Sequence, residues 1–303
     1  MLGAASAAQA ELKVVVSSKP AHALVASVMG ATGTPGLLVS GASSPHTYAM
    51  KPSDAKAVNG AAVFFRFSQG LEPFTAKLVT SLPKSVRVVS LQEAPGVALA
   101  EKREGGAFED HGDAHAVHGR GGAVKTAEKE DETDPHIWLD PRNAGAMVDH
   151  IADVLGEADP ASAAAFKANA AATKSKLQAL ELELERDLKP FAGKPFVVLH
   201  DAYQYLERRF SLTAVGSITV SPEAAPSGKR LTAVRRKIAD TGALCVFAEP
   251  GMQPKIVSAV IEGSTAKAGL LDPEATRLAP GPGLYDELMR GLVRGFKQCF
   301  AAK

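Results

Sequence analysis

Short apolar, β-branched runs alternate with helical patterns along this chain, and this alternation limits the fold more than any other feature. In the first half, strands are predicted at 12–17, 37–40, 63–67 and 86–90. After residue 194 the pattern restarts, with strands predicted at 196–199, 214–219, 244–248 and near Arg277. Short strands alternating with helices form parallel sheets covered on both faces. The sequence therefore predicts an α/β fold of two lobes, each with a parallel sheet flanked by helices.

The segment between the lobes has the pattern of one long helix. Apolar residues recur every three or four positions from Phe166 to Leu188. Asp159 is the predicted N-cap, Pro160 fits the first turn and Pro190 ends the run. The predicted domains are an N-terminal lobe, a rigid linking helix of roughly 45 Å and a C-terminal lobe, at 11–158, 159–190 and 191–303.

Three histidines stand where an α/β protein would place a ligand site. His46 lies in GASSPHTYAMKPSD, His136 in DPHIWLDPRN and His200 at the end of the strand pattern PFVVLH. Imidazole is the commonest side-chain ligand of transition metals, and three imidazoles with little sulfur nearby suit zinc best. More than sixty residues separate each histidine from the next. Only the tertiary fold can therefore bring them together.

A charged segment at 101–135 interrupts the first lobe. It holds ten acids, five Lys or Arg and six glycines, with almost no large apolar residue. Such a composition cannot bury enough surface to order itself, so we predict a disordered loop outside both cores. His111, His115 and His118 lie in it beside acidic residues, and a tract of this kind holds metal weakly. A solvated insertion without a metal role is the open alternative.

Two features favour an exported protein. Residues 1–10, MLGAASAAQA, end in the A-x-A pattern of a signal-peptidase site, which we interpret as a residual signal peptide. An Ala-rich start without function is the alternative. Cys245 and Cys299 are the only cysteines. If they are paired, the disulfide closes a loop and stabilises the folded protein by roughly 4 kcal/mol in the chain-entropy model. Such a bond persists in an oxidising compartment such as the periplasm. The alternative is two buried free thiols, which would not indicate export.

The remaining composition excludes several classes of function. With a formal net charge of +1, the chain has no excess of positive charge that would favour binding to nucleic acid or to an anionic membrane. No apolar run approaches the roughly 20 residues needed to span a bilayer. The phosphate-cradling GxxxxGK[ST], the GxSxG elbow and the HExxH helix are all missing from the sequence. We therefore expect neither a nucleic-acid partner nor one of these enzyme classes.

Several long motifs resemble one family. These are GASSPHTYAMKPSD, HIWLDPRNA, VLHDAYQYLERRFSL and CVFAEPGMQPKIVSAVIEGSTAKAGLLDP, together with the charged His-bearing loop. They resemble the periplasmic zinc-binding components of bacterial ABC importers, the ZnuA-type branch of the cluster A-I metal-binding proteins. The resemblance covers nearly everything from Glu11 to the C-terminus. It implies two α/β lobes, a long rigid helix and one metal site in the cleft between the lobes.

The resemblance also implies residue roles. His46, His136 and His200 would be the protein ligands of a transported Zn²⁺, which a membrane permease receives. Related manganese- and iron-binding members carry a carboxylate where His200 stands, so a histidine there favours zinc. Asp272 resembles the carboxylate ligand of the manganese-binding members, but we expect it outside the coordination shell, with water in the fourth position. Some zinc members have a disulfide where the two cysteines fall, and a monomer is expected.

Two acidic residues are candidates to orient an imidazole, with capping or ion pairing as equal alternatives. They are Glu249, after the strand ending at Ala248, and Asp201, beside His200.

Two other functions stay open at this point. One is a manganese- or iron-binding component of the same family. The other is a zinc hydrolase, because three histidines and an open position also hold catalytic zinc. The sequence offers no obvious general base for a hydrolase.

Overall fold

Apolar runs at both halves of the chain form two separate parallel sheets in a computed structural model, which describes residues 11–103, 106–108, 132–219, 225–251 and 254–301. The first sheet has the order β2-β1-β3-β4, with β1 Val14–Val16, β2 Gly36–Leu37, β3 Val63–Arg66 and β4 Arg87–Ser90. The second has the order β6-β5-β7-β8, with β5 Pro195–Val198, β6 Thr213–Ser217, β7 Cys245–Ala248 and β8 Lys267–Leu270. All pairings are parallel. The predicted fold class is confirmed.

Helices cover the sheets in the order expected from the sequence. They are α1 Lys19–Met29, α2 Pro52–Asn59, α3 Thr75–Ser81, α4 Pro141–Ala158, α5 Ala163–Leu188, α6 Gln204–Phe210, α7 Gly228–Thr241, α8 Pro254–Ile261 and α9 Leu284–Ala301. Within the described ranges, none of these helices is both long and apolar enough to cross a membrane.

The long helix α5 packs on both lobes. Its buried side chains contact α1 and α4 of the first lobe and α9 of the second. It begins at Ala163, so the prediction of Asp159 as its N-cap is wrong. The Asp159 amide instead donates to the Leu155 carbonyl and ends α4. Pro160, which has no N–H, prevents α4 from continuing, and a short turn reverses the chain before α5 starts.

The last strand lies earlier than the sequence suggested. β8 pairs with β7 from Lys267 onward, whereas the residues around Arg277 form a turn. The Asp272 carboxylate accepts hydrogen bonds from the backbone amides of Thr276 and Arg277. A side chain that binds amides a few residues ahead stabilises a turn rather than a strand, which explains the error.

The charged segment is partly built into the second lobe. Phe108 is 8% exposed and belongs to the main hydrophobic cluster, so the prediction that 101–135 lies outside both cores is wrong at this residue. Its amide donates to the Val215 carbonyl, and the Ser217 amide donates to the Gly106 carbonyl. Residues 106–108 thus pair antiparallel with the edge strand β6, and the Phe108 side chain packs into the core beside it.

The two cysteines form a disulfide. It joins Cys245 in β7 to Cys299 in α9, with a Cα–Cα distance of 6.1 Å. The predicted pairing is confirmed, and the alternative of two buried free thiols is wrong.

Candidate metal centre

Three imidazoles from distant parts of the chain meet between the lobes. His46 lies on the loop between β2 and α2, His136 precedes the turn that leads into α4, and His200 follows β5. The His136 Nε2 atom lies 3.2 Å from the Nε2 of His46 and 3.2 Å from the Nε2 of His200. His136 and His200 are 3% and 1% exposed. The structure therefore brings together the three histidines that the sequence singled out.

The spacing of these nitrogens suits one small cation. In a tetrahedral zinc site with Zn–N distances of about 2.0–2.1 Å, two ligand nitrogens lie about 3.3 Å apart. The possible ligand atoms of the three histidines all lie within 4.8 Å of one another. Lone pairs converging at this distance repel one another unless a proton or a metal ion lies between them. Three nitrogen donors favour Zn²⁺ over the harder Mn²⁺, which prefers oxygen.

A carboxylate lies behind each of the two buried imidazoles. Asp134 Oδ1 lies 2.8 Å from the Nδ1 of His136, and Glu249 Oε1 lies 2.8 Å from the Nδ1 of His200. An ionised carboxylate can only accept, so each holds a proton on the Nδ1 of its histidine and turns the Nε2 toward the centre of the cluster, where a metal would bind. The suggested role of Glu249 agrees with this contact, whereas nothing in the sequence reading singled out Asp134.

The two carboxylates leave the imidazoles with different charges. Burial lowers the pKa of His46 and His136 well below the usual value, and neighbouring histidines lower both further. Burial also opposes protonation of His200, but the charge and hydrogen bond of Glu249 outweigh it and raise the pKa of His200 to about 9. The rings of His46 and His136 are therefore neutral at pH 7. The ring of His200 has a second proton and is positively charged when no metal is bound.

Glu274 is a fourth residue at this site, and the sequence reading missed it. Its Oε1 lies 3.7 Å from the Nε2 of His46 and accepts a hydrogen bond of 2.9 Å from the Ser44 hydroxyl. Burial raises the pKa of Glu274 to about 8. The available signal was its place just beyond the carboxyl end of β8, the edge of a parallel sheet where ligands bind.

Asp272 and Asp201 have other partners. Both oxygens of Asp272 accept hydrogen bonds from Thr276 and Arg277, as a turn-capping residue does. Asp201 forms an ion pair with Arg103 rather than orienting an imidazole. The expected position of Asp272 outside the coordination shell agrees with its contacts, although its role at the metal stays a prediction.

A cavity borders the site on the side of Glu249 and Glu274. A cavity of about 450 Å³ is lined by Ser44, Tyr48, Glu249, Asp272 and Glu274, among others. The three loop histidines, His111, His115 and His118, lie outside the described residues, as do residues 1–10 with the predicted signal peptide. Their roles stay predictions.

Comparison with known proteins gives a consistent result. The family model described as "Zinc-uptake complex component A periplasmic" matches residues 14–299. The chain is 44% identical to the high-affinity zinc uptake system protein of Brucella suis, over 95% of this chain and 91% of the relative. It is 37% identical to the protein of the same name from Paracoccus denitrificans, over 99% of this chain and 95% of the relative.

A solved structure supports the same relationship. The laminin-binding protein of Streptococcus agalactiae, described as a bifunctional protein with adhesin and metal transporting activity, superposes with a TM-score of 0.76. The two share 27% identity, and the match covers 95% of this chain and 99% of that one.

Proposed function

The chain belongs to the ZnuA family of periplasmic zinc-uptake components, and from this premise we propose that it captures Zn²⁺ in the periplasm and delivers it to the permease of an ABC importer. The convergence of three Nε2 atoms, with the His136 Nε2 lying 3.2 Å from each of the other two, carries this proposal. Zinc is the cargo here, so the protein carries out ligand exchange rather than a reaction.

In this mechanism His46, His136 and His200 replace waters of hydrated zinc. Asp134 and Glu249 keep His136 and His200 turned toward the ion. Glu274 is our candidate for the fourth position, because its carboxylate faces His46 at 3.7 Å and moves little to reach a bound ion. A carboxylate also offsets part of the charge of Zn²⁺ in a buried cleft. Water in the fourth position, as expected from the sequence, is the competing arrangement.

Isothermal titration calorimetry of alanine variants tests the ligand set. His46→Ala, His136→Ala and His200→Ala should each weaken zinc binding by orders of magnitude, because each removes one of few ligands. Glu274→Gln should cost less, and Asp272→Ala less again. His150→Ala is the control, since His150 lies on α4 outside the cluster. Wild-type affinity in any of the three histidine variants would remove that residue from the ligand set.

Metal competition separates zinc from manganese. With three nitrogen ligands, the protein should keep bound Zn²⁺ in the presence of a large excess of Mn²⁺. We further propose that the protein is a monomer and binds no nucleic acid. Light scattering of the zinc-loaded protein measures its mass and tests the monomer.

A further inference from the structure

A buried lysine ties the first lobe to the loop that carries Glu274. Lys19 is the first residue of α1 and is 6% exposed. Its Nζ lies 2.8 Å from the carbonyl oxygens of Thr276 and Leu278 and 3.1 Å from that of Ala275. An ammonium group has three N–H donors and no acceptor, so every donor is used within this loop.

The backbone of this loop needs such support. Ala275 has a φ of 56°, a left-handed conformation that is unfavourable for a residue with a Cβ atom. A strained residue persists where its surroundings over-determine it. Asp272 binds the amides of the loop from within, and Lys19 binds its carbonyls from the other lobe.

Within the part of the chain that the structure describes, the hydrogen bonds of the Lys19 ammonium all go to this loop. A buried ammonium costs free energy unless its hydrogen bonds compensate, and an apolar side chain would fill the same space without that cost. What a lysine adds is a charged donor for three carbonyls next to Glu274. The loop in turn determines where the Glu274 carboxylate lies relative to His46.

We propose that Lys19 is a positioning residue of the metal site: by holding residues 275–278 against α1, it keeps Glu274 in the fourth position and slows zinc release. This inference rests on the proposed function. Removing Lys19 should free the loop, withdraw the carboxylate and leave a site of three histidines and water. Orienting partners of metal ligands commonly control 10- to 100-fold in metal affinity.

The test compares Lys19→Met, Glu274→Gln and the double variant in the zinc-loaded, full-length protein. Methionine keeps the length of the side chain but removes its charge and donors. We expect each single change to speed zinc dissociation into excess chelator by about tenfold or more. The double variant should be no faster than the faster single one, because both changes remove one interaction. Co²⁺-loaded Lys19→Met should show the altered visible spectrum of Glu274→Gln.

Two further variants serve as controls. Lys19→Gln keeps two amide donors, so it should release zinc at an intermediate rate, and it replaces Lys19→Met if that variant does not fold. Arg290→Met removes an ion pair with Glu183, between α9 and α5, and should release zinc at the wild-type rate.

Several results would overturn the proposal. A lower melting temperature with wild-type release and spectrum would make Lys19 a purely structural residue. Multiplicative effects in the double variant would show that Lys19 does not act through Glu274. Absence of zinc binding by the wild-type protein would instead refute the proposed function, and the inference with it.

Discussion

At the scale of single residues, the groups behind the imidazoles decide how the site handles protons. Asp134 is buried, and burial raises its pKa to about 6. It still orients His136, whose own pKa stays well below the usual value. Glu249 accepts a second hydrogen bond, from the Tyr203 hydroxyl at 3.1 Å, and holds a proton on His200. Similar contacts thus give one neutral and one charged imidazole.

This difference predicts proton release on zinc binding. With a pKa of about 9 for His200 and about 8 for Glu274, both groups hold protons at pH 7 in the empty site. Zinc needs the neutral imidazole and the ionised carboxylate, so at least one proton should leave per ion at pH 7. Affinity should therefore rise with pH and level off above the pKa of His200. Titration calorimetry in buffers of different ionisation enthalpy measures the protons released.

A charge-neutral variant checks the cause. Glu249→Gln removes the main group that raises the pKa of His200, so it should release fewer protons at pH 7 and show a flatter pH dependence. Glu183→Gln, on α5 and outside the histidine cluster, should behave as the wild type. Heats at pH 7 that do not vary with the buffer would contradict the proposed charge state.

The three histidines were recognisable from the sequence because their residue type and the family-like motifs point to metal. Glu274 was not, because its position depends on a loop that Lys19 holds from 255 residues away in sequence. Asp134 was not recognisable, because it lies at the end of a charged segment with many acidic residues and nothing in the sequence distinguishes it from the others.

At the scale of elements, the strands were predictable because buried parallel strands are continuous apolar runs. The errors lie where a side chain or a proline changes the local backbone. Asp272 converts the region near Arg277 into a turn, and Pro160 separates α4 from α5. Phe108 adds a short pairing to β6 that composition alone could not reveal.

The disulfide should stabilise the second lobe without building the metal site. It joins β7 to α9 across 54 residues, so the chain-entropy model gives about 4 kcal/mol. Reduction, or a Cys245→Ala/Cys299→Ala variant, should lower the melting temperature by about 10 °C. Zinc stoichiometry should stay unchanged, because neither cysteine belongs to the histidine cluster. Calorimetric melting of the oxidised and reduced proteins measures the difference, and free thiols in the native unreduced protein would contradict the bond.

At the scale of the whole molecule, the lobes are joined by more than α5. One hydrophobic cluster runs from Val14 in the first sheet to Cys299 in the last helix. The Trp138 indole donates to the Pro273 carbonyl at 2.9 Å, and the Tyr285 hydroxyl donates to the Trp138 carbonyl at 2.7 Å. A hinge between the lobes would have to break these buried hydrogen bonds and expose apolar surface. We therefore expect the protein to exchange zinc by local loop movement rather than by a hinge between the lobes.

This architecture predicts that zinc leaves the overall dimensions nearly unchanged. Many binding proteins close around their ligands by a hinge, but here the continuous core and α5 resist such a motion. The radius of gyration from small-angle X-ray scattering, about 19 Å for a compact chain of this length, should agree within error between the metal-free and zinc-loaded proteins. Hydrogen exchange should slow in two places, the loop around His46 and residues 272–278. Mg²⁺ in place of zinc serves as the control and should change neither measurement. A clear decrease in radius on zinc binding would mean that the lobes do close, and the rigid coupling through Trp138 would then be wrong.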